Sequence, residues 1–356
     1  MELNKFLNEA SKVRNFEISE SCFKNVLRTI LENQPLDIWD IFKYSNEYFD
    51  AIIGIVIKML DYGLLQVDSK GRYKLTKNGK KLAKELNVNI VPKEFRKIAY
   101  PPLPKSLRKL FPLLRKIYQE FEPKIKTEIE QGPLYPLSSL RKIYFAIQKG
   151  DVIGKRIACV GDDDFLSIAL GATGLPEKIT VFDIDKDILK TIEEYKRKLK
   201  IKVPIETVRH NLLNPTPKKY RGKYDVFLTQ PPDTVLGFTL FVSRGVELLK
   251  PKPGMVGYAG LTIIGCPKLG ILEIQRIFTE MGLVITDFLN KFLHYLPGKT
   301  EIQKVEVPKH APYPARKIWY ISDLIRVITT KKTKPYYKGI VKEDIADYLA
   351  DAKKFQ

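Results

Sequence analysis

Apolar residues in the first ninety positions recur every three or four residues, which is typical of amphipathic helices. Two short apolar runs then flank a polar stretch that contains Gly71, and this pattern predicts a β-hairpin. Thr76 stands where the N-cap of a last helix is expected. Together these elements predict a winged-helix domain over residues 1–90, for which we favour a docking or dimerisation role. The predicted helices cover residues 20–31, 36–42, 49–61 and 77–86, and the predicted strands cover residues 64–67 and 73–75.

Prolines and basic residues are frequent in the next segment, residues 91–150. The run Pro101-Pro102-Leu103-Pro104 predicts an extended, semi-rigid chain. A helical pattern returns over residues 140–149. We therefore interpret residues 91–150 as a connector that leads into a second domain.

Strand-like and helix-like runs alternate from residue 151 to residue 330, and this alternation predicts an α/β fold with a parallel sheet. The last two strand-like runs predict an antiparallel hairpin. This order resembles the Rossmann-like fold of S-adenosylmethionine-dependent methyltransferases. The predicted strands cover residues 156–160, 179–183, 205–209, 224–228, 255–260, 283–289 and 318–328, and the predicted helices cover residues 165–170, 186–199, 237–249 and 271–281.

The last segment, residues 331–356, is charged and contains tyrosines. Its composition predicts a mobile C-terminal tail that ends in a short helix.

An acidic turn, Gly161-Asp162-Asp163-Asp164, follows the first predicted strand of the sheet. Nucleotide-binding proteins usually carry a glycine-rich loop at this point, because backbone N–H groups can then approach a phosphate. Three carboxylates instead repel phosphate, so the ligand should be positively charged where it meets the turn. The alternative is that these aspartates only cap the following helix, although one Asp would suffice for a cap.

Polar residues also follow the second and third predicted strands, at the edge where ligands of open α/β sheets bind. Asp183 ends the second strand, about 20 residues beyond the turn, where an acidic residue commonly binds the ribose hydroxyls. Asn211 follows the third strand and could hydrogen-bond adenine. His210 beside it is more often structural at such a position, and we do not expect it to be catalytic.

The fourth strand is followed by Gln230-Pro231-Pro232-Asp233. Nucleic-acid amino methyltransferases carry Asp or Asn, two prolines and an aromatic residue here, and the first residue accepts a hydrogen bond from the amine. In this chain Gln230 can accept a hydrogen bond but cannot take a proton, and Asp233 replaces the aromatic residue. The extra acid suits an aliphatic polyamine, which has ammonium groups and no flat ring.

The composition limits the classes of function. The 356 residues include only three cysteines and three histidines, without metal-ligand spacing, so a zinc site is not expected. The apolar runs are too short to span a bilayer and the N-terminus has no apolar signal core, so we expect a cytoplasmic protein. Abundant Lys and Glu favour a thermophilic source. The net charge of +20 lies mainly beyond the near-neutral first domain, which argues against tight DNA binding there.

The acidic turn on a methyltransferase-like sheet, behind a predicted winged helix, resembles the branched-chain polyamine synthases, the N4-bis(aminopropyl)spermidine synthases of archaea and bacteria. The resemblance extends through most of the chain. It is carried by Glu130-Gln131-Gly132, Gly161–Asp164, Asp183-Ile184-Asp185, Pro231-Pro232 and Ser322-Asp323-Leu324-Ile325-Arg326.

The resemblance implies transfer of aminopropyl groups from decarboxylated S-adenosylmethionine to the secondary nitrogen of spermidine, with release of 5′-methylthioadenosine. The donor is then a co-substrate, and no cofactor is expected. The resemblance also implies that Asp163 handles the attacking amine and that Gln131 contacts the donor. The catalytic candidates are Asp162, Asp163 and Asp164, and the substrate-binding candidates are Gln131, Gly161, Asp183, Asp185, Asn211, Gln230, Pro231, Pro232 and Asp233.

Two other functions are compatible with parts of the sequence. A nucleic-acid amino methyltransferase is supported by the net charge and by Pro231-Pro232, but the acidic turn and the missing aromatic residue oppose it. A non-enzymatic winged-helix regulator with a ligand-sensing domain is the third hypothesis. We expect small-molecule partners, namely polyamines and the nucleoside donor, together with a possible homodimer and no membrane partner.

Overall fold

The computed structural model describes residues 2–92, 100, 102–297, 307–313, 315 and 317–355. Its N-terminal part consists of helices with a two-stranded antiparallel hairpin, in the order that the sequence predicts. The interpretation of this part as a winged helix remains a prediction. The elements are α1 (Leu3–Arg14), α2 (Glu20–Asn33), α3 (Ile38–Ser45), α4 (Phe49–Asp61), β1 (Leu65–Val67), β2 (Tyr73–Leu75) and α5 (Lys77–Glu85).

Helix α1 is an addition to the predicted elements. Its short apolar stripe, Phe6, Leu7 and Ala10, is buried. α1 packs closely on α4, where a Cβ at Gly54 would overlap the backbone oxygen of Ala10. The predicted cap of α5 is confirmed, because the Thr76 hydroxyl accepts the N–H of Gly79 at 3.2 Å.

The N-terminal part packs against the rest of the chain through α3. The indole N–H of Trp39 donates to the carbonyl of Pro312 at 2.6 Å, and Lys317 forms an ion pair with Asp37 at 2.7 Å. Trp39 also lies against the ring of Trp319, with 4.6 Å between ring centroids. One face of α3 is therefore covered within the chain itself.

The segment predicted as a connector, residues 91–150, is largely helical from residue 105. It contains α6 (Lys105–Arg108), α7 (Phe111–Phe121) and α8 (Pro136–Gln148). The prolines near the starts of α7 and α8 are tolerated, because the first N–H groups of a helix have no intrahelical partner. α7 buries Leu114, Ile117, Tyr118 and Phe121, so this part is packed and the prediction of a linker was wrong there. Residues 93–99 and Pro101 lie outside the described residues.

The remaining strands form a seven-stranded sheet in the order β5-β4-β3-β6-β7-β9-β8. β3 to β7 are parallel, and β9 pairs antiparallel with both β7 and β8. The predicted fold class and the C-terminal hairpin are confirmed. The elements are β3 (Arg156–Val160), α9 (Leu166–Thr173), β4 (Lys178–Asp183), α10 (Lys186–Lys198), β5 (Ile205–Arg209), β6 (Val226–Thr229), α11 (Val235–Leu248), β7 (Val256–Leu261), α12 (Lys268–Glu280), β8 (Leu283–His294) and β9 (Ile321–Thr329).

The C-terminal segment is packed on the sheet domain, which contradicts the prediction of a mobile tail. The fully buried Arg244 on α11 donates to the carbonyls of Tyr337 at 3.1 Å and Gly339 at 2.7 Å. The N–H of Val341 donates to the carbonyl of Leu213 at 2.9 Å. The predicted terminal helix is confirmed as α13 (Tyr348–Lys354). The sequence could not show this packing because most of the partners are backbone carbonyls.

Within the described ranges, no helix combines the length and the apolar character needed to cross a bilayer.

Candidate active site

A crevice lies at the carboxyl ends of β3, β4, β5 and β6, and it has a cavity volume of about 240 Å³. The structure brings most of the predicted site residues together on its walls. Asp164, Asp185, Pro231 and Asp233 are the predicted residues that lie outside this lining. The predicted residues that line the crevice are Gln131, Gly161, Asp162, Asp163, Asp183, Asn211, Gln230 and Pro232.

The acidic turn after β3 depends on an unusual backbone geometry. Gly161 has φ of 77°, a left-handed conformation that favours glycine. Its N–H donates to the carbonyl of Phe182 on β4 at 2.9 Å. Phe165, at the other end of the turn, also has a positive φ of 49° and is fully buried. Its ring packs edge-on against Phe121 of α7, so the helical connector supports the turn from behind.

Asp162 has the capping role that the sequence analysis considered as an alternative. Its Oδ1 accepts the N–H of Leu166 at 2.8 Å, and its Oδ2 accepts the N–H of Ser167 at 3.2 Å. These are the first N–H groups of α9, which would otherwise lack partners. Asp162 is buried, and burial raises its pKa to about 8.

Asp163 is the most accessible carboxylate of the turn. Its Oδ2 accepts the N–H of Gly132 at 2.9 Å, while the side chain lines the crevice. Burial, together with the neighbouring charges of Asp164 and Asp183, holds the pKa of Asp163 well above its usual range. Asp162 and Asp163 both line the crevice and both have a raised pKa, but both oxygens of Asp162 accept N–H groups of α9, whereas Asp163 accepts a described hydrogen bond through Oδ2 alone.

Asp164 points away from the crevice toward α8. Its Oδ1 accepts the N–H of Leu134 at 2.6 Å, whereas its buried Oδ2 accepts no hydrogen bond from any described residue. Lys142 on α8 is only 1% exposed and lies close enough to attract Asp164 electrostatically. Burial raises the pKa of Asp164 to about 6, and the ammonium of Lys142 opposes that rise. Asp164 therefore belongs to the support of the turn rather than to the crevice wall.

Asp183 connects the loops that follow β3 and β4 at the crevice. Its Oδ2 accepts the N–H of Asp162 at 3.0 Å, and its Oδ1 accepts the N–H of Asp185 at 2.8 Å. Burial raises the pKa of Asp183 to about 6. Each carboxylate oxygen can accept a second hydrogen bond, so Asp183 retains acceptor capacity for two ribose hydroxyls.

Asp185 holds the segment that contains Gln131. Its Oδ2 accepts the Gln131 amide at 2.7 Å, and its Oδ1 accepts the ammonium of Lys126 at 2.5 Å. The Gln131 oxygen accepts the backbone N–H of Lys126 at 2.8 Å. Gln131 thus lies at the crevice as predicted, but much of its amide is committed to neighbouring groups.

The remaining predicted residues have distinct surroundings. Asn211 lines the crevice, and its side-chain oxygen accepts the N–H of Leu213 at 2.9 Å, which leaves its amide N–H groups for a ligand. Asp233 is buried behind the crevice, accepts the hydroxyl of Tyr320, and has a pKa raised to about 7 by burial. The Gln230 oxygen faces Lys142 at 3.4 Å, so it is already engaged as an acceptor.

Several site residues were missed in the sequence analysis. Lys142 could have been recognised from the sequence, since it lies three or four positions from other buried residues on α8, where a lysine is unexpected. The contribution of the C-terminal segment had no local signal. The missed residues in or beside the site are Lys126, Lys142, Phe241, Tyr295, Asp344, Ile345 and Ala346.

The crevice is suited to a cationic ligand. Carboxylates lie at the ends of β3 and β4, and burial raises the pKa values of Asp162, Asp164 and Asp183, so a bound cation would stabilise their ionised forms. In the described part of the chain, no group of three or more His, Cys, Asp or Glu residues is arranged to hold a metal ion.

Comparison with known proteins links this geometry to one family. The family model of the branched-chain polyamine synthase A C-terminal domain matches residues 114–353. A curated protein of Methanocaldococcus jannaschii named N(4)-bis(aminopropyl)spermidine synthase is 29% identical over 98% of this chain and 97% of its own length. A protein of the same name from Thermococcus kodakarensis is 26% identical over 94% of this chain and 95% of its own length.

A solved structure is similar over nearly the whole chain. It is a mutein of the branched-chain polyamine synthase from Thermus thermophilus, crystallised with N4-aminopropylspermidine and 5′-methylthioadenosine. The two folds superpose with a TM-score of 0.80, at 25% identity, over 96% of each chain. The similarity therefore includes the N-terminal helices as well as the sheet.

Proposed function

Because the chain belongs to the branched-chain polyamine synthase family, we propose that it transfers aminopropyl groups from decarboxylated S-adenosylmethionine to the secondary amine of spermidine. The products are N4-aminopropylspermidine, N4-bis(aminopropyl)spermidine and 5′-methylthioadenosine. The observation that carries the proposal is the crevice itself, in which Asp163 and Asp183 stand at the ends of neighbouring strands.

The acidic turn accounts for the choice of donor. S-adenosylmethionine carries a carboxylate on its tail, whereas the decarboxylated donor presents only an ammonium and the sulfonium. Asp163 and its neighbours would repel the first tail and attract the second. The same carboxylates stabilise a polyamine acceptor, whose ammonium groups would otherwise lose hydration in the crevice.

Asp183 and Asn211 are the residues that we assign to the nucleoside. Asp183 has acceptor capacity at both oxygens for the ribose hydroxyls, and Asn211 has amide donors for an adenine ring nitrogen. Gln131 closes this side of the crevice, held by Asp185. The donor is a co-substrate in this assignment, and no cofactor has a role.

Asp163 is the residue that we assign to the attacking amine. The amine must lose its proton before it attacks, and a carboxylate with a raised pKa is a suitable acceptor near neutral pH. The nitrogen lone pair then forms a bond with the propyl carbon beside sulfur. The C–S bond breaks and its electron pair stays on sulfur, which leaves in neutral 5′-methylthioadenosine.

The two transfers differ in their proton balance. The first converts a secondary amine into an ammonium that loses its proton and becomes a tertiary amine. The second converts that tertiary amine into a quaternary ammonium, which has no proton to lose. Two protons therefore leave before the quaternary product forms, one from spermidine before the first attack and one from the tertiary ammonium before the second, and we assign Asp163 to accept each in turn.

Mass spectrometry of the reaction products tests the proposal. The full chain is incubated with spermidine and decarboxylated S-adenosylmethionine, and in parallel with S-adenosylmethionine. We expect products that carry one and two added aminopropyl groups, together with 5′-methylthioadenosine, in the first reaction alone. Calorimetric binding of S-adenosylmethionine without binding of the decarboxylated donor would overturn the proposal in favour of a methyltransferase.

The winged-helix role, the homodimer and the cytoplasmic location remain predictions. For nucleic acid, the covered face of α3 counts against duplex binding through that helix, since Trp39 packs on Pro312 and Trp319. A gel shift at physiological salt checks this point, because phosphate contacts dominate non-specific binding.

A further inference from the structure

Gln230 lies directly before Pro231-Pro232, and its amide is held from several sides. Lys142 donates to the backbone carbonyl of Thr229 at 3.0 Å and faces the Gln230 oxygen at 3.4 Å. The Gln230 amide nitrogen donates to the hydroxyl of Tyr295. A Cβ at Gly260 would overlap the Gln230 amide, so the absence of a side chain at Gly260 makes room for it.

These contacts determine the orientation of the Gln230 amide, that is, which of its two ends is the oxygen. Burial lowers the pKa of Lys142, whereas the nearby carboxylates of the acidic turn favour its ammonium form. As an ammonium it has only donors, so the oxygen of Gln230 is the atom that faces Lys142. Rotating the amide would place its N–H groups against the buried ammonium, which is unfavourable. The nitrogen then lies on the other side, beside Gly260, where one N–H is directed to Tyr295 and the second has no acceptor among the described residues.

The orientation of the Gln230 amide is relevant to the reaction because of where this residue lies. Thr229 pairs with Val160 across β6 and β3, so Gln230 and the acidic turn begin from neighbouring strand ends. An N–H donor at this place can hydrogen-bond the lone pair of an unprotonated amine. It disfavours an ammonium, which has no lone pair to offer.

Resting on the proposed aminopropyl transfer, we propose that Lys142 is a positioning residue that fixes the orientation of the Gln230 amide, and that the second N–H of Gln230 reaches the acceptor amine in the crevice and thereby favours its unprotonated form. Asp163 receives the proton on the other side of the amine. The two residues then have different roles. The Asp163 carboxylate attracts the polycation, and the Gln230 amide selects the unprotonated amine, which is the form that can attack.

Other charged and titratable groups surround the same space and are common to the wild type and to any variant at position 230. A comparison between variants therefore isolates the effect of residue 230. These groups are Asp162, Asp163 and Asp164 after β3, Asp183 after β4, His210 after β5, Asp233 after β6, Lys142 on α8, Tyr295 after β8, Tyr320 before β9, Glu128 and Glu130 from the connector, and Asp344 from the C-terminal segment.

The test compares the pH profiles of kcat/KM for the wild type and Gln230→Glu. The Glu side chain keeps the size and the contact with Lys142 but offers an acceptor to the crevice, which stabilises the ammonium form of the acceptor. We expect the ascending limb to move to higher pH by about one unit, and kcat/KM at pH 7 to fall roughly tenfold. A limb that does not move, or that moves to lower pH, overturns the proposal.

Controls separate this effect from general damage. Gln275→Glu places the same charge on the exposed face of α12 and should leave the limb in place. Binding of 5′-methylthioadenosine, measured by calorimetry, should stay within roughly twofold in Gln230→Glu, because this ligand is uncharged and senses the new carboxylate weakly. A large loss of that binding would show that residue 230 shapes the nucleoside pocket instead, and it overturns the proposal.

A second variant covers the case in which Gln230→Glu does not fold. Lys142→Met removes the ammonium and lets the amide turn its oxygen to the crevice. Its limb should move to higher pH by more than that of Lys142→Met/Gln230→Met, which has lost the same ammonium but has no amide to turn; equal limbs overturn the proposal. Failure of the proposed function is distinguishable, because the wild type would then give no aminopropylated product at any pH.

Discussion

The carboxylate of Asp163 accepts the backbone N–H of Gly132 across 2.9 Å. This hydrogen bond joins the acidic turn after β3 to the segment that carries Gln131. It uses Oδ2 and leaves Oδ1 available to the crevice that the side chain lines. One oxygen thus fixes the carboxylate in place, while the other can meet the acceptor amine.

Replacing Asp163 by Asn should remove proton acceptance but keep the shape of the site, because the Asn oxygen can still accept the Gly132 N–H. We expect kcat to fall by about 10²–10⁴-fold, the usual contribution of a positioned acid or base. Steady-state kinetics with spermidine as acceptor measures the change.

The control is calorimetry with 5′-methylthioadenosine, whose affinity for Asp163→Asn should stay near that of the wild type. Asp61→Asn, an exposed aspartate paired with Lys58 on α4, serves as the matched substitution and should keep full turnover. Wild-type turnover in Asp163→Asn would remove Asp163 from the mechanism.

Asp162 should matter mainly for stability, since both of its oxygens accept N–H groups of α9. Asp162→Ala leaves these buried donors without partners, and we expect the free energy of unfolding to fall by about 1–2 kcal/mol. Asp162→Asn keeps one oxygen acceptor and should lose less. Urea denaturation of the two variants measures the difference, and equal stability of Asp162→Ala and the wild type would contradict the capping role.

The sequence indicated the sheet and its acidic turn because both depend on local patterns. β3 and β5 were predicted with the bounds that the structure has, since each is a short apolar or β-branched run between polar residues. The acidic turn was visible because three consecutive aspartates after a buried strand are uncommon. The helical connector was missed because prolines near the starts of α7 and α8 resemble linker prolines, although they occupy first-turn positions.

Which aspartate faces the crevice could not be read from the sequence. Asp162, Asp163 and Asp164 are chemically identical, and only the positive φ values at Gly161 and Phe165 turn the first toward α9 and the third toward Leu134. Some of the residues that these aspartates contact, such as Leu134, come from distant parts of the chain. The role of Lys142, which lies behind the turn, could not be read from the sequence either, because the groups it contacts become its neighbours only once α8 packs on the sheet.

Lys126 offers a test of how the Gln131 segment is held. Its ammonium bridges Asp185 at 2.5 Å and Asp187 at 2.7 Å, and these contacts raise its pKa. Lys126→Met should loosen the segment and raise KM for the donor by roughly threefold to tenfold, with a smaller effect on kcat, because a partly exposed ion pair contributes modestly. Lys116→Met, at an exposed ion pair on α7, is the matched control and should leave KM unchanged. A lower kcat at constant KM would assign Lys126 a different role.

The buried carboxylates make stability and ligand binding depend on pH in a defined direction. Burial raises the pKa of Asp162 to about 8 and those of Asp164 and Asp183 to about 6, well above their values in an unfolded chain. The folded protein without ligand therefore holds protons that the unfolded chain has already lost. The contribution of this cluster to the free energy of unfolding should fall as pH rises from about 4 to about 8.

A bound polycation should reverse this effect, because it favours the ionised carboxylates and so expels protons from the crevice. At pH 6.5 we expect release of about one proton per molecule of spermidine bound in the presence of 5′-methylthioadenosine. Titration calorimetry in two buffers with different enthalpies of ionisation measures that number from the difference in apparent heat. Asp163→Asn, which has one titratable group fewer beside the ligand, should release fewer protons, whereas Asp61→Asn should match the wild type. Proton uptake on binding, or heats that do not depend on the buffer, would show that the cluster is already ionised before the polyamine arrives.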